Sequence, residues 1–152
     1  MVHYRQVQRL LWEGVLPDAD KLWSPPLRRI DALLEDAAVL EPVAQALARR
    51  WPASRSRGRR GTPVDVVVRM LVLKDVYQWS YDELEREVRA NLVYRAFTRV
   101  GGGRVPDAKT ILKIALALSP DTIHALHRRV VALALAQGVT RGRQLVNHRR
   151  ER

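Results

Sequence analysis

Four helix-start signals punctuate this chain at intervals that suit short helices packed on one another. They are Thr62-Pro63, Ser80 with Glu83 three residues on, Pro106-Asp107, and Ser119-Pro120-Asp121. A small polar side chain before a helix accepts a hydrogen bond from a free first-turn amide, and proline fits the first turn because its missing N–H was unpaired there anyway. Ser80 and Glu83 have the spacing of a reciprocal capping box. Between these signals the apolar residues recur at helical spacing. Val66, Val67, Met70, Leu71, Leu73, Val76 and Tyr77 cover a wide arc, which predicts a central helix after Thr62-Pro63, with Thr62 as cap and Asp65 in its first turn. Leu84 and Val88 mark the next helix, and Leu92, Val93, Ala96 and Val100 a short one that Gly101-Gly102-Gly103 closes. Ile111, Leu112, Ile114, Ala115 and Leu118 follow Asp107, and a last helix runs from Ser119-Pro120 to Gly138. Upstream, Pro25-Pro26 opens a segment with Leu27, Ile30, Leu33 and Leu34 on one face, and a further helix starts around Glu41-Pro42. No alternating strand pattern appears before Gln144-Leu145-Val146, which is too short to count alone. The expected class is all-α, a bundle of about six or seven helices.

The charge is unevenly placed. Arg49 to Arg60 holds six arginines and no acid, and Arg141 to Arg152 holds five arginines against Glu151. These two segments carry 10 of the formal net charge of +11, so the remaining body is close to neutral. A neutral body with two arginine-rich segments suits a polyanion, and nucleic acid phosphate leads because binding it releases condensed counterions. The sequence divides on this basis into an N-terminal helical region (1–50), a basic linker (51–61), a helical DNA-binding core (62–138) and a basic, disordered tail (139–152).

Other classes fall away. There is no cysteine, hence no disulfide framework and no thiolate metal site. No apolar run approaches the roughly 18 to 20 residues of a membrane span, and none near Met1 resembles a signal peptide. A cytoplasmic, nucleoid-associated protein without a membrane or small-molecule partner is expected.

The stretch from Trp79 to Val100 has the rhythm of a helix-turn-helix: a capped helix, a turn of about three or four residues, and a second helix. Arg86 and Arg89 precede that turn, Asn91 lies in it, and Arg95 and Arg99 stand four apart after it. Arg104, Lys109 and Lys113 follow, making seven basic residues from Arg86 to Lys113 against Glu87 and Asp107. In such a unit the second helix enters the major groove, where arginine grips guanine and asparagine adenine. The helix carrying Lys109 and Lys113 is a second candidate reader. A bundle ordinarily uses such side chains to solvate its outer face; the local basic excess and the flanking arginines turn the balance toward DNA. The candidate DNA contacts are therefore Arg55, Arg57, Arg59, Arg60, Arg86, Arg89, Asn91, Arg95, Arg99, Arg104, Lys109 and Lys113.

Catalytic chemistry finds no support in the residues. Asp121, His124 and His127 read as a cap and two surface histidines, with no further histidine or cysteine to complete a metal site. Asp82, Glu83, Glu85 and Glu87 answer a helix dipole. The four tryptophans are too scattered for a stacking platform, and Trp79 reads as core. There is no phosphate loop and no nucleophile with a base.

From Gly58 to Leu145 the chain resembles the N-terminal, InsH-type domain of bacterial insertion-sequence transposases. The likeness rests on Arg60-Gly61-Thr62-Pro63, Met70-Leu71 with Leu73-Lys74, Trp79-Ser80-Tyr81 with Leu84, Tyr94-Arg95 with Phe97, and Val105-Pro106-Asp107. The resemblance implies recognition of a transposon's terminal inverted repeats. It also implies a following ribonuclease-H-like domain, whose three carboxylates hold two divalent ions such as Mg²⁺ for hydrolysis and strand transfer. Arg141 to Val146 looks like the lead-in to the first of those acids, but Asn147 stands where the aspartate is expected. The expectation is a truncated transposase with no catalytic residues, no metal site and no cofactor of its own. Its partner is double-stranded DNA at transposon ends. Two alternatives stay open: part of an active enzyme completed by frameshifting or a second polypeptide, and a helical assembly module that forms a homodimer.

Overall fold

The structure is a computed structural model that describes residues 19–52 and 61–136. Arg55, Arg57, Arg59 and Arg60 of the expected linker, and the expected tail 139–152, lie outside the described residues. Among the described residues every regular element is helical. A short 3₁₀ turn, Ala19–Leu22, leads into α1 (Pro25–Leu34) and α2 (Ala37–Arg50), followed by α3 (Val64–Tyr77), α4 (Tyr81–Ala90), α5 (Leu92–Phe97), α6 (Ala108–Ala117) and α7 (Pro120–Ala136). The all-α expectation holds. None of these helices is long and apolar enough to cross a membrane.

The helix starts follow local hydrogen-bond supply. Ser80 and Glu83 form the reciprocal box at α4: the Ser80 hydroxyl accepts from the Glu83 amide at 3.2 Å, and the Glu83 carboxylate accepts from the Ser80 amide at 2.8 Å. Asp107 accepts from the Thr110 amide at 2.7 Å and Ser119 from the Thr122 amide at 3.2 Å, as the sequence led one to expect. Two starts differ. Helix α2 begins at Ala37 rather than near Glu41, because Asp36 accepts from the Ala38 amide at 2.9 Å and Pro42 is carried inside the helix. At α3 the cap position is Pro63 itself, so Thr62 does not cap.

Helix α3 is the axis of the fold. Val64, Val66, Val67, Val68, Met70 and Leu73 are all buried, and they meet α2 on one side and α4 and α6 on the other. Helices α1, α2 and α7 contact one another in one layer, while α4 touches both α5 and α6 in a second. Leu27, Leu34, Val39, Val43 and Leu47 share one hydrophobic cluster with Leu84, Val88, Phe97, Val105 and Ile111. The helices on either side of the expected linker thus build a single core. At the end of α3, Tyr77 stacks on Trp79 with ring centres 4.6 Å apart, and Tyr94 meets both edge-on. Trp79 is half-buried against the core.

Helix α5 is shorter than its sequence promised. It ends at Phe97, which is fully buried edge-on against Trp23 at 5.8 Å. Arg99 then takes a left-handed φ of 60° and Gly101 one of 56°. The Gly101 amide returns to the Arg95 carbonyl at 3.1 Å, closing the helix end. The turn before α5 is the single residue Asn91, not a loop of three or four.

Candidate nucleic-acid interface

The second helix of the expected helix-turn-helix has its cations committed inside the domain. The Arg95 guanidinium donates to the carbonyl oxygens of Gly101 and Gly103 at 2.9 Å each and to that of Arg89 at 3.4 Å. It holds the glycine loop shut. Arg99 lies past the end of α5, so the two arginines do not form a pair along one helix face. Its guanidinium donates to both carboxylate oxygens of Asp31, at 3.1 and 3.4 Å, and also to Glu35. Asn91 caps α5 through a side-chain bond from the Val93 amide at 2.8 Å. These three residues were expected to touch bases or phosphates; each is anchoring its own backbone turn or a neighbouring helix.

Asp31 and Glu35 bind a second arginine that sequence reading missed. Arg69, in the middle of α3, is only 2% exposed. Its guanidinium donates to Asp31, to Glu35 at 3.1 Å and to the Phe97 carbonyl at 3.2 Å. Burial, with the neighbouring Arg99 charge, pushes its pKa down from the ordinary arginine value, while the two acids pull the other way. The cluster ties α1, α3 and the loop after α5 together. Its only sequence trace is one arginine among apolar residues, with acidic partners more than thirty positions away.

The remaining predicted cations gather around α4 and α6. The Glu85 carboxylate accepts from the Ala108 amide at 2.6 Å, which seats the start of α6 against α4. Arg89 pairs with the same Glu85 at 2.7 Å, and Arg86 pairs with Glu87 at 3.2 Å, both arginines largely exposed. Exposed ion pairs of this kind hold weakly and exchange readily for other anions. The Asp107 carboxyl lies well below the usual carboxylate range, chiefly because the Thr110 amide donates to it; Arg104 and Arg89 add a smaller pull. Arg104 and Arg89 therefore share the neighbourhood of the α6 N-terminus. Arg104, Lys109 and Lys113 are exposed and form no contact ion pair among the described residues.

Helix α6 turns Ala108, Ile111 and Leu118 inward. Its outer face carries Lys109, Leu112, Lys113 and Leu116, spaced i, i+3, i+4 and i+7. Leu112 was expected with the core residues, yet it is 38% exposed, and Leu116 is 77% exposed. The same spacing rule that placed Ile111 inside would have placed these two outside.

A family model described as Transposase domain (DUF772) matches residues 12–115. The chain belongs to this transposase domain family. Its role is accordingly transposition-related. The matched range ends within α6 and spans all twelve of the cations and polar residues singled out as DNA contacts. Neither the curated proteins nor the solved structures give a significant match. Among the described residues of this transposase domain, no three histidine, cysteine or acidic side chains are placed to hold a metal ion.

Proposed function

We propose that this transposase domain binds duplex DNA at the terminal inverted repeats of an insertion sequence and supplies recognition, not strand transfer. The observation that carries the reading is the set of exposed, unpaired cations before and along the outer face of α6. There Arg104, Lys109 and Lys113 form no ion pair among the described residues, while Arg86 and Arg89 on the neighbouring α4 are exposed and each pairs with a partly buried glutamate of the same helix. Exposed cations without internal partners, on a helix seated firmly against its neighbour, are free to meet phosphate backbones. Two acids that do share one cluster, Asp31 and Glu35, are occupied by Arg69 and Arg99, which argues for their structural use.

Binding of duplexes cut from each flank of the coding sequence, against scrambled duplexes and across a salt series, tests recognition. Tighter binding to one flanking sequence is expected, and equal affinity for all duplexes refutes specific recognition. Replacing Arg104, Lys109 and Lys113 together with glutamine lowers the slope of log K against log salt by about 2.7, if each neutralises one phosphate. Supercoiled plasmid bearing the flanks, incubated with the protein and Mg²⁺, stays intact; nicking by the pure chain overturns the non-catalytic half of the proposal.

A further inference from the structure

We infer that α6 is the helix that reads bases, with Leu112 and Leu116 seated against thymine methyl groups and Lys109 and Lys113 against guanine edges or phosphates. This rests on the proposal that the domain binds duplex DNA, and names the surface and the chemistry by which it would do so.

Three observations converge on α6. The alternative reader, α5, is six residues long, its Phe97 is buried in the core, and the guanidinium groups of Arg95 and Arg99 are held by carbonyls and carboxylates of the domain itself. Helix α6 has ten residues, about 15 Å of axis at 1.5 Å per residue, and a helix about 10–12 Å across fits a major groove about 12 Å wide. Its inner face is anchored by Ala108, Ile111 and Leu118 and its first turn by Glu85, so the outer face stands on a rigid support.

That outer face alternates two chemistries. Lys109 and Lys113 are one turn apart, and so are Leu112 and Leu116, beside them. A helix that served only to keep the domain in water gains nothing from leucine at 77% exposure. A groove offers both counterparts: phosphates and guanine acceptors for ammonium groups, and the thymine methyl for an apolar side chain. Four residues of helix rise are about 6 Å, close to two base steps of 3.4 Å, so a helix lying along the groove sets its two leucines against bases about two steps apart. Arg86 and Arg89 on α4, and Arg104 before α6, then stand where the flanking phosphate strands pass.

The probe is a duplex library with a randomised 20-base-pair centre, selected on the full chain, followed by anisotropy titration of the selected duplex. The expected consensus holds thymines about two steps apart. Replacing those thymines by uracil removes only the methyl groups and weakens wild-type binding about fourfold for each methyl that leaves a contact. The variant L112S/L116S binds the thymine duplex more weakly and no longer distinguishes it from the uracil duplex. The uracil comparison on the wild-type protein needs no mutant to fold. A consensus without thymine, or a wild-type protein indifferent to uracil, overturns the assignment of α6 while leaving DNA binding by the domain intact. Loss of self-association rather than of base preference in L112S/L116S also overturns it, and makes this face a contact between copies. Failure to bind any duplex at low salt overturns the assignment together with the proposal beneath it.

Discussion

Neutralising Asp31 should be among the most damaging single changes in this domain. Its carboxylate faces two guanidinium groups at once, Arg69 at 2% exposure and Arg99 at the surface of the same cluster. In D31N the buried Arg69 keeps the Phe97 carbonyl and, as its one carboxylate, Glu35, whose side chain is mostly in solvent, and it still faces the like charge of Arg99. Removing one partner of a buried pair costs about 3 to 5 kcal/mol, and the partial exposure of Asp31 argues for the lower end, about 3 kcal/mol. At a urea slope of about 1.5 kcal/mol per molar, the unfolding midpoint falls by about 2 M with the slope unchanged. Circular dichroism at 222 nm during urea titration at pH 7 measures it. R69M removes the buried charge and leaves Asp31 with Arg99, so it should stay within about 1 kcal/mol of wild type. The double variant D31N/R69M should be more stable than D31N alone, since the orphaned cation has gone. If D31N costs less than about 1 kcal/mol, or if R69M is the worse of the two, the cluster is an ordinary surface pair and the reasoning fails.

Three further outcomes are expected. S80A, which breaks half of the α4 capping box, should lower stability by about 1 kcal/mol in the same titration. R95A removes charge-assisted bonds to Gly101 and Gly103 and should cost about 2 kcal/mol, with hydrogen exchange accelerating first in residues 98–107; DNA affinity should fall only as far as unfolding explains. The Asp107 carboxyl is held below its unfolded value, so its contribution is complete above about pH 4 and disappears as pH falls through the folded value. D107N keeps a capping oxygen but lacks that titration, and its stability between about pH 4 and pH 2 should decline less steeply than that of the wild type.

Much of the fold could be read from local chemistry, and the failures have local explanations too. Ser80, Asp107 and Ser119 cap their helices because each decision involves atoms three residues apart. At α3 the cap position falls on Pro63 rather than Thr62, and Pro42 mimics a helix start although Asp36, six residues earlier, supplies the cap. The site was harder. Seven basic residues from Arg86 to Lys113 look alike in sequence, and only three-dimensional placement separates Arg95 and Arg99, which hold the loop and α1, from Lys109 and Lys113, which face outward. Arg69 was invisible because its acids come from a helix far away in sequence. Leu112 and Leu116 followed the helical period and could have been found from it.

The division of α6 into an anchored side and a free side has an evolutionary consequence. Ala108, Ile111 and Leu118 are answerable to the core, and Glu85 fixes the helix start, whereas Lys109, Lys113 and Leu116 face outward and Leu112 is only partly covered. Those four positions can change at little repacking cost compared with the buried side of the helix. A mobile element whose end sequences drift could keep pace by substitutions on this one stripe, and related elements could diverge in target while inheriting the same scaffold.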